Sequence, residues 1–155
     1  MPCYSNVKIG FKLLKYMRAL SIDLGTVRTG FAISDCTGFL ASPLCVVKEA
    51  DVMKLLLKVM ELIEKYKITD VAIGLPKNMD GSEGESAIRA RKFKSKLQQM
   101  VDICISFVDE RWSTKSAQYY LNIGTTKAKK KKNIVDEVAA TVILQQYLDT
   151  KRTCK

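Results

Sequence analysis

Short apolar runs alternate along this chain with longer stretches of helical periodicity. Residues 20–24 (Leu-Ser-Ile-Asp-Leu) read as a buried strand closed by Gly25, and residues 30–34 (Gly-Phe-Ala-Ile-Ser) as a second. Asp35-Cys36-Thr37-Gly38 is a turn signal. Residues 41–47 form a third strand, which Pro43 places at a sheet edge, so the three predict an antiparallel meander. Asp51 stands as the N-cap of a helix in which Val52, Leu55, Leu56, Val59, Ile63 and Tyr66 recur at helical spacing. Residues 71–74 (Val-Ala-Ile-Gly) have the continuous apolar character of a strand inside a parallel sheet. Beyond a loop over 75–81, Ser82 and Glu85 have capping-box spacing and predict a helix running to about residue 100. Residues 103–108 give a fifth strand. Ser113 or Thr114 caps a helix through 122, a lysine-rich loop spans 124–133, and the last helix covers 135–147.

The order β-β-β-α-β-α-β-α-α predicts an α/β fold, a mixed five-stranded sheet with about four helices on its faces. A length of 155 residues, 47% of them hydrophobic, suits one domain with one core. Neither an internal repeat nor an inter-domain linker is visible. No apolar run approaches the roughly 20 residues of a membrane helix. Residues 1–16 carry Lys8, Lys12 and Lys15 and no acid, with lysines interrupting the apolar positions. They read as a basic extension rather than a secretory signal, with Met17 as a second candidate start. The domain is expected over 17–150, with a short tail at 151–155.

Charge narrows the partner. Against 26 Lys and Arg stand 16 Asp and Glu, a formal charge of +10, which favours a polyanion: nucleic acid first, an anionic membrane surface second. The five cysteines are scattered, with no C-x-x-C pair; they fit packing positions in a reducing cytosol rather than a disulfide framework or a zinc knuckle. Histidine is absent, which excludes a Ser-His-Asp triad, a Cys-His pair and any His-ligated zinc site. Hydrolytic chemistry would therefore have to run on carboxylates, lysine, hydroxyls or a carboxylate-bound cation.

Three acids sit awkwardly for purely structural roles. Asp23 ends an apolar strand, where a lone carboxylate is costly unless paired, hydrogen-bonded or on a cation; an Asx-turn into Gly25 is the other role open to it. Asp136 heads an apolar helical stripe through Ala139, Ala140, Ile143, Leu144 and Tyr147 and so is expected to face the sheet, unless it serves only to complement the helix dipole. Strand alternation sends Asp109 and Glu110 in opposite directions, so only one of them can face a given site; an exposed salt-bridging pair is the alternative. Three carboxylates from separate elements are enough to hold hard divalent cations without histidine.

Ordered motifs then carry a resemblance. Asp23-x-Gly25-x-x-Arg28-x-Gly30 comes first, followed by Gly74-Leu75-Pro76 with Asp80-Gly81-Ser82 and by Asp109-Glu110-Arg111-x-Ser113-Thr114. Asp136-x-x-Ala139-Ala140, continuing to Leu148, closes the series. Together they resemble the YqgF (RuvX) family of ribonuclease H-like nucleases from about residue 18 to 148. Ser116 stands where the family often has Glu, and residues 1–16 lie outside the resemblance. The resemblance implies a ribonuclease H-like fold, catalytic and metal-binding acids at Asp23, Glu110 and Asp136, and Mg²⁺ or Mn²⁺ as cofactor. It implies a cytoplasmic protein maturing the pre-16S rRNA end; older naming in the family points to Holliday junction resolution.

Basic residues around those acids are candidates for nucleic-acid contact: Arg28 in the glycine-bounded turn, Lys77 and Asn78 in the loop after the fourth strand, Arg111, and the run Lys129, Lys130, Lys131 and Lys132. The run is expected as a loop that orders on the nucleic-acid backbone; a merely solvated loop is the plain alternative. The leading expectation is a two-metal nuclease acting on precursor ribosomal RNA, as a monomer or weak homodimer. Its rivals are a branched-DNA resolvase, a non-catalytic nucleic-acid-binding factor of the same fold, and a phosphate-binding kinase or ATPase. The last needs a second Asp-x-Gly-Thr domain, and the chain has no such repeat.

Overall fold

The computed structural model describes residues 17–110 and 128–153, with side chains over 17–110 and 137–153. Its strands are β1 (Ala19–Leu24), β2 (Arg28–Ser34), β3 (Ala41–Lys48), β4 (Asp70–Leu75) and β5 (Cys104–Asp109); its helices are α1 (Val52–Tyr66), α2 (Glu85–Met100) and α3 (Ala128–Thr153). The sheet runs in the order β3-β2-β1-β4-β5. The first three strands form the antiparallel meander, and β4 and β5 add in parallel to β1. The mixed five-stranded sheet of the sequence is therefore present. Pro43 lies on an edge strand, as expected, beside a bulge: Phe31 pairs with Cys45 and Ala32 with Pro43, leaving Leu44 as the extra residue.

Alternation along the strands sorts the core into two layers. Leu20 and Ile22 of β1, Phe31 of β2, and Val71 and Ile73 of β4 pack with Leu56 and Val59 of α1 and Phe93 and Leu97 of α2. The opposite face presents small residues, Ala19, Ala32 and Ala72, to Ala140, Ile143, Leu144 and Leu148 of α3. Small side chains let that helix approach closely enough for the buried Ser21 Oγ to donate to the Ala140 carbonyl at 2.6 Å. Contacts along α3 also give its direction. The start of β4 meets its C-terminal part, Asp70 against Tyr147 and Lys151, while Gly74 at the end of β4 meets Ile143. The helix runs antiparallel to β1 and β4, so its N-terminal half lies toward the C-terminal ends of those strands.

Asp70 ties the far end of α3 to the sheet. Burial works against its charge, but hydrogen bonds from Lys151, Thr69 and Tyr147 outweigh that and hold the carboxyl below its ordinary range. Its stabilising contribution is thus present above the ordinary carboxylate pKa and lost as acid protonates the folded form. Asp70→Asn is expected to lower unfolding free energy by about 2 kcal/mol at neutral pH, the low end for a buried charge-assisted cluster because Lys151 is partly exposed. Urea denaturation measures it, and the deficit should shrink as the pH falls below 4.

Three expectations need correction. Ser82 does not cap α2: its N–H and hydroxyl both donate to Asp80 Oδ1, and the helix starts at Glu85 with Gly84 as its N-cap and no side-chain cap bond. The last helix begins at Ala128 rather than 135, so Lys129–Lys132 stand on helical backbone and not in a loop. No glycine or proline follows Gly124 in this stretch, and alanine and lysine are good helix formers. Of the three described cysteines, Cys36 and Cys104 are exposed, and only Cys45 packs partly into the core. The helix expected over 113–122 lies outside the described residues. Asp51 caps α1 as expected, accepting from the Met53 and Lys54 amides. Among the described residues no helix is long and apolar enough to cross a membrane.

Candidate active site

Asp23 sits near the C-terminal end of β1, paired in register with Gly30 of β2. It shares the α3 face of the sheet with Ala19 and Ser21 by strict alternation. The chain then turns sharply at Gly25. A Cβ on Gly25 would overlap the Arg28 carbonyl oxygen, a backbone obstacle that cannot swing aside, so this turn requires glycine. It returns the chain as β2 with Arg28 two residues before Gly30. Arg28 is half-buried and falls on the same face as Asp23.

Glu110 approaches from the other side of β4. The Glu110 amide donates to the Leu75 carbonyl at 3.2 Å, carrying the parallel ladder one residue past β5. Its carboxylate then folds over Gly74. A Cβ there would overlap Glu110 Oε1 and come within 2.7 Å of Ile143 Cδ1, so the missing side chain of Gly74 is the seat of the Glu110 head, with α3 on its flank. Burial, followed by the negative charges of Asp23 and Asp109, pushes the Glu110 carboxyl up to about 7. Two carboxylates from separate strands are thereby crowded at one end of the sheet.

Asp109 points away, as alternation requires, and lies 3.9 Å from Lys77 Nζ. Lys77 also bridges to Glu83 by backbone, and Glu83 pairs with Arg91 of α2. The Asn78 side chain donates to Ser82 Oγ at 2.8 Å, which braces the loop at Lys77–Glu83. Asp136 lies on α3 by its backbone, one turn before Ala140 and on the side of the C-terminal end of β1. Its side chain, those of Lys129–Lys132, and Arg111 altogether lie outside the described residues. Among the described residues no three acidic or cysteine side chains are grouped as a ready cation site.

Gly74 was not singled out from the sequence as part of the site. A glycine inside an apolar strand is a signal for close approach of another group, and here that group is Glu110.

The architecture has known counterparts. Thermus thermophilus RuvC in complex with a Holliday junction superposes with a TM-score of 0.58 at 15% identity, covering 88% of this chain and 96% of that one. The fowlpox virus resolvase, bound to Holliday junction DNA, gives 0.54 at 13% identity over 87% and 99%. The fold is accordingly that of the ribonuclease H-like class. The family model for RuvX, described as Holliday junction resolvase, matches residues 17–150, and the chain belongs to that family of nucleases. A relative from Ruminiclostridium cellulolyticum is 42% identical over 134 residues, 86% of this chain and 94% of the relative. Another, from Caldanaerobacter subterraneus, is 36% identical over 137 residues, 88% and 99%. Both are named as candidate pre-16S rRNA nucleases.

Proposed function

We propose that this nuclease hydrolyses phosphodiester bonds of precursor 16S rRNA at its 5′ end, using divalent cations held by Asp23, Glu110 and Asp136. The observation that carries the reading is the Glu110 carboxylate seated over Gly74 and raised to about 7 beside Asp23. Carboxylates drawn together in a half-buried place fit a cation between them, which would offset their mutual repulsion. The donors are all hard oxygens, which suits Mg²⁺ or Mn²⁺. Such ions supply Lewis acidity that activates water and stabilises the leaving oxygen of a phosphodiester.

The chain's own residues do the rest. Asp23, Glu110 and Asp136 would together hold the cations. Arg28, on the face of Asp23, contacts a substrate phosphate or orients that carboxylate. Lys77, Asn78, Arg111 and Lys129–Lys132 would contact the substrate backbone, and their positive charges would contribute the salt-dependent part of binding. The names of the relatives support ribosomal RNA and a cytoplasmic place of work, and the reading takes the protein as a monomer or weak homodimer.

A second reading, resolution of branched DNA, is favoured by the family's description and rests on the same carboxylates. One comparison separates them: purified protein is incubated with precursor 16S rRNA or with a synthetic four-way junction, in Mg²⁺, in Mn²⁺ or in chelator. Cleavage of the RNA in either cation and of nothing in chelator is the expected result. Symmetrical nicking of the junction with intact RNA would transfer the assignment to DNA, and unchanged cleavage in chelator would reject the cation site.

A further inference from the structure

On the side of the sheet opposite α3 lies a groove of about 350 Å³ that the carboxylate site does not use. It opens beside the turn after β1, between the start of α1 and one face of α2. Leu24, Val52, Leu55 and Phe93 give it an apolar lining. Arg89, Lys92 and Lys96 stand along α2 at i, i+3 and i+7, so one helix face presents three cations to it. Glu49 is the acid of the lining, and its carboxylate already accepts from the Asp51 amide. No ion pair among the described residues joins Arg89, Lys92 or Lys96 to an acid. The other cations of α2 are differently placed, with Arg91 on Glu83 and Lys94 over the Phe107 ring.

An apolar floor under a row of cations suits a group that is flat and apolar on one side and anionic on the other. Pockets for small ligands begin at about 300 Å³, which is room for one nucleotide and not for a paired stretch. The groove and the carboxylates lie at the same end of the sheet on opposite faces, with the turn bearing Gly25, Thr26 and the exposed Val27 between them. A strand leaving the carboxylates over this turn arrives at the groove. Bases of a duplex face inward and are unavailable to it, whereas an unpaired nucleotide rotates freely out of the stack.

We infer that this groove takes one unpaired nucleotide of the substrate strand next to the cleavage site, its phosphate on Lys92 and Lys96 and its base on the apolar floor. Phe93 is nearly fully buried, so the base meets aliphatic surface and a ring edge rather than stacking on a ring face. The inference rests on the nuclease reading above and deepens it: the enzyme selects substrates with a single-stranded segment beside the scissile bond.

Fluorescence anisotropy in chelator, which stops cleavage, tests the groove with two probes: a short single-stranded RNA and the fully paired RNA duplex of the same sequence. Two variants are compared with the wild type, with circular dichroism to establish that each folds. Ser95→Trp fills the groove without changing charge and is expected to weaken single-strand binding about tenfold while leaving the duplex unaffected. Lys92→Glu with Lys96→Glu is expected to weaken single-strand binding at least as much, and more than it weakens duplex binding. Unchanged single-strand affinity in Ser95→Trp, or equal losses on both probes in the lysine variant, would overturn the inference. Wild-type cleavage in Mg²⁺ or Mn²⁺ is assayed separately. Failure to cleave would therefore strike the nuclease reading, while the binding data still decide what the groove holds.

Discussion

Glu110→Gln is expected to make the cation-free protein more stable at pH 8 and at the same time inactive. In the folded chain the Glu110 carboxyl is pushed up to about 7 by burial and by Asp23 and Asp109, against an ordinary value of 4.5. The folded state therefore binds a proton that the unfolded state has already released between those two values. Stability falls as the pH rises through that window, reaching a deficit of about 3 kcal/mol above it. Glutamine removes the titration and keeps the shape. The stability gap between variant and wild type, measured by urea denaturation in chelator, should open by about 2–3 kcal/mol between pH 5 and pH 8. A flat gap across that range would mean that Glu110 is not crowded by charge. Saturating Mg²⁺ should recover about 2–3 kcal/mol in the wild type at pH 8 and much less in the variant, because only the wild type keeps the full donor set. Cleavage should drop by about two to three orders of magnitude, as for loss of a group that stabilises charge at the reacting centre.

The second large effect is expected from a single methyl group. In Gly74→Ala the new carbon overlaps Glu110 Oε1 and crowds Ile143 Cδ1. Ile143 is fully buried between α3 and the sheet, whereas Glu110 is only half-buried, so the carboxylate is the one to move. Displacement by about 1 Å is enough to cost about a hundredfold in rate where groups must be held in register for reaction. Overpacking should lower stability by about 1–3 kcal/mol, with the fold intact by circular dichroism. The informative readout is the pairing of the two effects. Cleavage lost together with the pH-dependent stability term would show that Gly74 acts by seating Glu110. Wild-type cleavage in this variant would show that the seat is irrelevant.

The strands were easy to read because each is a short apolar run between turn residues, and Asp23 stood out because a charge in such a run demands a reason. Asp51 was equally plain, since its side chain competes for helix amides that have no other partner. Elsewhere local chemistry misled. Ser82 has the spacing of a cap, but Asp80 lies nearer and takes both of its donors, which delays α2 to Glu85. The lysine-rich stretch before Asp136 read as a loop, yet its helix propensity, with α3 docked on the sheet, extends the helix back to Ala128. Contacts distant in the chain left no local mark at all. The Asp70 cluster with Tyr147 and Lys151, the bond from Ser21 to Ala140 and the groove flanked by Arg89, Lys92 and Lys96 all depend on how elements far apart in sequence come to lie side by side. Gly74 is the intermediate case: its presence in a strand was visible, but the carboxylate that needs the space arrives from 36 positions further along the chain.

The bulge at Leu44 and the neighbouring Pro43 have a bearing on assembly. An unguarded outer strand invites another chain to zip onto its open amides and carbonyls. Along β3 that zipper is broken twice within two residues, by a missing donor and by a dislocated register. Both features work against head-on continuation of the sheet on this flank.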